Sequence, residues 1–138
     1  MIPRAQQALN DLAGRIGMRV IPELRNPYTV ADTGLISMLM MMLSAELESG
    51  VERRMADGAE LKALFETATA APGAQARAAF SSSAPDSLSL TDVTAWLDDG
   101  LALLIELHAW AEETSDEALD RRIWEFLAAH TDRHRFDL

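Results

Sequence analysis

The sequence predicts an all-α fold: an antiparallel four-helix bundle with one extra short helix and a crossover loop near residues 71–88. Apolar residues recur at helical spacing along four long segments, and no segment alternates apolar and polar residues as a half-buried strand does. Two of the connections are only a few residues long, which is typical of antiparallel neighbours. With 138 residues, the chain is expected to form a single helical-bundle domain, 1–138.

The first helix is predicted from about Pro3 to Glu23, because proline suits a first helical turn and apolar residues follow at helical spacing. A tight turn is predicted at 25–28, since Pro27 disfavours the helical conformation of Asn26. The apolar stripe of this helix consists of Leu9, Leu12, Ile16, Val20 and Leu24.

The second helix is predicted to begin near Thr29, which has the spacing of a capping box with Asp32. Eight of the nine residues in 35–43 are apolar, so this part of the helix is apolar on every side. Such a helix is expected to be buried all round, inside a bundle or against a second chain. A break or kink is expected at Asp57–Gly58, followed by a further short helix to about Ala70.

The C-terminal half contains a loop-rich segment and two further helices. Proline, glycine and serine mark 71–88 as a connection, with one or two helical turns at 76–80. The next helix is expected to open at Ser89 or Thr91, since Ser89 and Asp92 have cap-like spacing. The last helix is expected to start with the capping box 114–117. Their apolar stripes include Val93, Leu97, Leu101, Leu104 and His108 in the first, and Leu119, Ile123, Phe126 and Leu127 in the second.

Composition argues against several classes of function. The net charge is −10, from 22 acidic and 12 basic residues, which disfavours nucleic acid and an anionic membrane surface as partners. Cysteine is absent, so disulfides, thiolate metal sites and a cysteine nucleophile are excluded. The apolar run is shorter than the roughly 20 residues of a membrane span, and no membrane contact is expected. No signal-peptide core follows Arg4, which favours a cytoplasmic protein.

Nucleotide-binding loops and the common hydrolase motifs are also absent from the sequence, so no cofactor is expected. An enzyme is a less favoured hypothesis than a binding protein, and it would have to use His108 or the pair His130 and His134. The apolar run itself favours self-association. A helix of a small bundle normally keeps one face in water, but residues 35–43 have no polar face. A second copy related by a two-fold axis near Met38 and Met42 would cover the extra apolar face, as in a dimeric accessory or protein-interaction module. The alternative is a bundle that holds a small apolar molecule in a Met-lined pocket. Candidate interface or pocket residues are Leu35, Met38, Met41, Met42, Leu104 and His108.

A metal site is a third, less favoured hypothesis. His130 and His134 have i, i+4 spacing and can share one helix face, as metal ligands do. If the last two helices fold back at 114–115, Asp98 and Asp99 lie level with His130, and Asp99 is the candidate third ligand. His108 would lie about 13 Å further along the axis. The simpler interpretation is that basic residues near a helix C-terminus stabilise its carbonyl end.

Overall fold

The computed structural model describes residues 4–136, of which 84% are helical and none forms a strand. The predicted all-α class is confirmed. The described residues form five α-helices, and a π-helical turn (Ile16–Val20) and a 3-10 turn (Ile21–Glu23) extend the first of them. The predicted start at Pro3 lies outside the described residues. The helices are α1 (Ala5–Arg15), α2 (Pro27–Thr67), α3 (Ala74–Ser82), α4 (Leu90–Thr114) and α5 (Glu117–His134).

The contacts divide the chain into two compact units, Met1–Gly50 and Val51–Leu138. The division falls within α2, so each unit contains one part of that helix. The single domain 1–138 stays a prediction.

In the first unit, two serines of α2 donate hydrogen bonds to the backbone of α1. Ser37 Oγ donates to the carbonyl of Ala13 over 3.0 Å, and Ser44 Oγ donates to the carbonyl of Gln6 over 3.1 Å. As α2 advances from Ser37 to Ser44, the acceptor moves back from Ala13 to Gln6. Ser44 and Ala13 are buried, so small side chains form this contact and let the two backbones approach closely.

The start of α2 differs from the sequence prediction. The helix begins at Pro27, and the Asn26 side chain accepts a hydrogen bond from the backbone N–H of Tyr28 over 2.9 Å. The Asn26 carbonyl accepts the N–H of Val30. The prediction of a cap at Thr29 was therefore wrong, because asparagine is itself a strong capping residue and proline suits the first helical position.

The predicted break at Asp57–Gly58 is also wrong. Helix α2 runs through these residues to Thr67 and absorbs the short helix that was expected to follow. A glycine inside a helix costs about 1 kcal/mol relative to alanine. Here Trp96 packs directly on Gly58, in space that any side chain would fill. Tertiary packing thus outweighs the local preference.

The second unit holds the hydrophobic core. Arg77 of α3 donates hydrogen bonds to three backbone carbonyls in the segment that follows α2, those of Ala68, Ala71 and Pro72. Helix α3 is longer than the turns predicted at 76–80. The buried core is formed by Leu61, Leu64, Phe65, Ala68, Ala71, Phe80, Trp96, Leu97, Leu104, Leu107, Ala111, Leu119, Ile123 and Phe126.

The caps of the last two helices were predicted with mixed success. Ser89 caps α4 as expected, with its hydroxyl accepting the N–H of Asp92 over 3.1 Å. Helix α5 is capped by Asp116, whose carboxylate accepts the N–H of Leu119 over 3.1 Å. The expected cap at Thr114 was wrong. Thr114 is the last residue of α4, and Ser115 turns the chain with a left-handed conformation (φ 55°).

Candidate functional site

The first unit carries a large exposed apolar surface. Of the fourteen exposed large apolar residues among those described, eleven lie in Met1–Gly50. We define the apolar α2 surface as seven of these, each between 38% and 56% exposed. They are Leu35, Ile36, Leu39, Met41, Met42, Leu43 and Leu47.

The segment 35–43 is not buried within one chain. Six of its residues are exposed, and Ser37, Met38 and Met40 are half-buried. The expectation that the chain's own bundle would enclose this segment was wrong, because α1 contacts the serine side of α2 and covers only that side. The expectation that a second chain encloses it stays a prediction.

Buried apolar residues show the opposite distribution. Sixteen apolar residues are buried in the described part of the chain, and Ala13 alone belongs to the first unit. The first unit therefore exposes most of its large apolar side chains, although burying such side chains is the main source of folding free energy.

Helix α2 is also the one helix in residues 4–136 that is long and apolar enough to cross a membrane. Only 11% of its most apolar window is buried. Core helices of soluble proteins and signal sequences meet the same criteria of length and composition. The expected absence of membrane contact stays a prediction.

A polar cluster lies in the second unit around Asp57, whose side chain is fully buried. The Asp57 cluster consists of Asp57 and Glu60 from α2 with His130, Arg133 and His134 from α5. His130 Nδ1 lies 2.9 Å from Asp57 Oδ2, and His134 Nε2 lies 2.6 Å from the same oxygen. The imidazoles are 29% and 23% exposed, so the cluster is closed at Asp57 and open to solvent at the rings.

Arg133 joins the two carboxylates of this cluster. Its guanidinium donates hydrogen bonds to Asp57 Oδ1 and to Glu60 Oε1. Burial lowers the pKa of Arg133, but the hydrogen bonds and charges of Asp57 and Glu60 outweigh burial and raise it above its usual value. Arg133 is therefore a fixed positive charge that neutralises part of the acidic charge around it.

The local sequence explains how α5 supplies three of these groups. Residues 130 and 134 lie one helical turn apart on one face, and residue 133 lies beside them. The rings of His130 and His134 are 4.6 Å apart, and His130 stacks on Phe126 at 5.9 Å. The predicted pair of histidines is thus brought together.

The carboxylate beside the pair is Asp57 and not Asp99. Asp99 is exposed on α4, where it lines a groove with Ser83 and Pro85, and it is not among the ligand atoms grouped with His130 and His134. Sequence reasoning missed Asp57 because an Asp–Gly pair is typical of a turn, and nothing local relates it to a histidine 73 residues away.

His108 belongs to a second, smaller group. Its Nε2 lies 3.0 Å from Asp120 Oδ1 and 3.8 Å from Glu112 Oε1, and its ring meets Trp124 edge-on at 5.5 Å. These contacts make His108 a half-buried, hydrogen-bonded residue of the α4–α5 contact.

The remaining predicted pocket residues fall in different units. Leu104 is buried in the core of the second unit, while Leu35, Met38, Met41 and Met42 belong to the first. A pocket lined by both sets stays a prediction.

No protein-family model, curated protein or solved structure matches this chain.

Proposed function

We propose that this protein is a homodimeric interaction module in which the apolar α2 surface of one copy packs on the same surface of a second copy. The observation that carries the proposal is the exposure of six of the nine residues in 35–43. Apolar surface removed from water stabilises an interface by about 25 cal/mol per Å². Large exposed apolar patches mark interaction sites in soluble proteins.

The flanking charges favour a protein partner over a membrane. Between Asp32 and Glu46 lie thirteen uncharged residues, 33–45. At 1.5 Å per residue they extend about 20 Å, whereas the hydrocarbon core of a bilayer is about 30 Å thick. The bonds from Ser37 and Ser44 also fix α1 beside this stretch, and α1 carries Asp11 among its polar residues. Inserting α2 would desolvate these groups.

The second copy is favoured as the partner because the patch is self-complementary. A two-fold axis near Met38 and Met42 places the same uncharged residues on both sides, so no ionised group of 33–45 is desolvated. Methionine side chains adapt their shape and can fill an irregular seam. Acidic residues outside the patch keep the net charge at −10 and disfavour further, non-specific association.

The antiparallel four-helix arrangement is part of this proposal. Hydrogen bonds between three pairs of helices support antiparallel neighbours. Between α1 and α2, and between α2 and α5, residue numbers in one helix fall as those of their partners rise. These bonds are Ser37 to Ala13 and Ser44 to Gln6 in the first pair, and Asp57 to His134 and Thr67 to Arg122 in the second. Between α4 and α5, His108 and Asp120 lie on either side of a short turn. Two α1–α2 pairs facing each other would also supply four helices at the seam.

Native mass spectrometry and light scattering on the metal-free protein test the proposal. A dimer of twice 15.1 kDa is expected. The double variant Met42→Glu with Leu43→Glu is expected to be a folded monomer, because it places two charges in the seam. Ile105→Glu is the matched control, since Ile105 is 71% exposed but lies in the second unit. This control variant is expected to remain a dimer.

Thermal unfolding gives a second readout. The melting temperature of a dimer rises with protein concentration, and this dependence is expected to vanish in the double variant. A wild-type monomer at all concentrations would contradict the proposal. If that monomer carried excess organic mass or was stabilised by small apolar probes, the pocket alternative would replace it. Binding to lipid vesicles that the double variant loses would instead indicate a membrane partner.

A further inference from the structure

We propose that the Asp57 cluster binds one divalent transition-metal ion of the zinc class, with His130 Nδ1, His134 Nε2 and Asp57 Oδ2 as its protein ligands. One possible ligand atom of each of the three residues lies within 4.8 Å of those of the other two. They come from α2 and α5, all three belong to the second unit, and none of them is a residue of the apolar α2 surface.

The donor distances are close to those that a metal ion requires. Asp57 Oδ2 is 2.9 Å from His130 Nδ1 and 2.6 Å from His134 Nε2. In tetrahedral geometry, an ion about 2.0–2.2 Å from each donor needs neighbouring donors roughly 3.3–3.6 Å apart. Moving the histidine nitrogens roughly 0.4–1.0 Å further from Asp57 Oδ2 therefore admits the ion. Both rings are partly exposed, so small side-chain movements suffice and solvent can reach the ion.

The donor types favour zinc and its neighbours over calcium or magnesium. Two imidazole nitrogens and one carboxylate oxygen suit borderline divalent ions, whereas calcium and magnesium prefer oxygen ligands. Three protein ligands leave at least one position for water, which is the ligand count of catalytic rather than structural zinc sites.

Arg133 and Glu60 support the carboxylate ligand Asp57 on the side away from the histidines. Arg133 donates to Asp57 Oδ1, which leaves Oδ2 as the oxygen directed at the histidines. Such partners fix the orientation of a metal ligand. The charges of Asp57, Glu60 and Arg133 sum to −1 with neutral imidazoles, so the cluster attracts a dication rather than repelling it.

The competing interpretation is a purely structural cluster in which both imidazoles donate to Asp57 Oδ2. Metal binding would replace those two hydrogen bonds, since each ligating nitrogen must present its lone pair. Titration separates the two interpretations because a structural cluster takes up no ion.

The experiment uses the chelator-stripped full-length chain. Zn²⁺ affinity is measured by competition with a chromophoric chelator, and Co²⁺ is titrated by visible absorption. One ion per chain is expected, with d–d bands for Co²⁺. His130→Gln and His134→Gln are each expected to weaken binding more than about 100-fold, since loss of an outer-shell partner alone costs about 10–100-fold.

Two variants serve as controls. His108→Gln alters the group formed with Glu112 and Asp120 and is expected to leave stoichiometry and affinity unchanged. The Met42→Glu with Leu43→Glu variant is expected to bind the ion as the wild type does. Circular dichroism verifies the fold of each variant, and if one histidine variant unfolds, the other decides. No uptake of either ion would overturn the proposal, as would unchanged affinity in the folded histidine variants or loss of the ion in His108→Gln.

Discussion

The indole ring of Trp96 occupies the position in which a side chain at residue 58 would begin. A Cβ atom built on Gly58 would lie 2.0 Å from Trp96 Cη2 and 2.3 Å from Cζ3. The indole cannot easily move away, because its Nε1 donates to Ser83 Oγ over 2.9 Å and its ring stacks on Phe80 at 5.2 Å. Gly58 thus allows close packing directly beside Asp57.

Gly58→Ala is therefore expected to destabilise the protein by about 1–3 kcal/mol, the usual cost of overpacking a core. The effect opposes the roughly 1 kcal/mol that alanine gains over glycine in a helix. Urea unfolding measures it. Gly34→Ala in the same helix is the control, since a Cβ there meets nothing within 4 Å. If Gly58→Ala and Gly34→Ala changed the free energy of unfolding by the same amount, the close contact between Gly58 and Trp96 would not exist.

Asp57→Ala is expected to reduce the free energy of unfolding by about 2–4 kcal/mol, because it leaves donors of His130, Arg133 and His134 without their acceptor. Asp99→Ala is the control. Asp99 is exposed, and its replacement is expected to change stability by less than about 0.5 kcal/mol. Chemical denaturation of the metal-free variants compares the two. Equal effects at both positions would contradict the assignment of Asp57 as the central carboxylate.

Arg77 holds the turn that follows α2. Its side chain is almost fully buried and donates to the carbonyls of Pro72, Ala68 and Ala71 over 2.5, 2.7 and 2.9 Å. Burial lowers the pKa of Arg77, an effect that the charge of Glu106 opposes. The three hydrogen bonds and the charge of Glu106 together offset the loss of solvation of the guanidinium.

Arg77→Met is expected to cost about 2–4 kcal/mol, because two buried carbonyls and one partly buried carbonyl lose a charged donor while much of the side-chain volume is kept. Arg121→Met, on the exposed side of α5, is expected to change stability by less than about 0.5 kcal/mol. Thermal and urea unfolding both report the difference. A tolerated Arg77→Met would mean that solvent or other donors satisfy these carbonyls.

The start of α4 predicts a pH effect. Hydrogen bonds from Ser87 and then Ser89 lower the pKa of the Asp92 carboxyl, while desolvation opposes them weakly. Because the pKa is lower in the folded state, ionised Asp92 adds stability above its unfolded pKa of about 3.9. That contribution is lost as pH falls through the folded pKa.

Ser87→Ala is expected to raise the pKa of Asp92 towards its usual value, as measured by NMR titration of the carboxyl carbon. Ser82→Ala is the control, because the Ser82 hydroxyl donates to the Ala78 carbonyl and not to Asp92. If Ser87→Ala left the pKa of Asp92 unchanged, the hydroxyl would not be the dominant donor.

Much of the helical organisation was predictable because it depends on neighbouring residues. The Ser89 cap and the helical turns before residue 82 follow from local chemistry, and both are present. The predicted break at Asp57–Gly58 was wrong because the conformation there depends on residues that are distant in the sequence. The propensity of glycine is a local effect of about 1 kcal/mol, whereas the packing of Trp96 on Gly58 depends on residues 38 positions apart.

The sequence by itself determined the all-α class, the shared face of His130 and His134, and the excess of apolar residues in 35–43. All three follow from periodicity within one helix. Only the tertiary structure decided that Asp57 and not Asp99 contacts the histidines. It also decided that α1 covers the serine side of α2 and leaves the leucine and methionine side exposed. Which helix faces are in contact depends on the summed packing of residues far apart in the chain, and no local pattern encodes that sum.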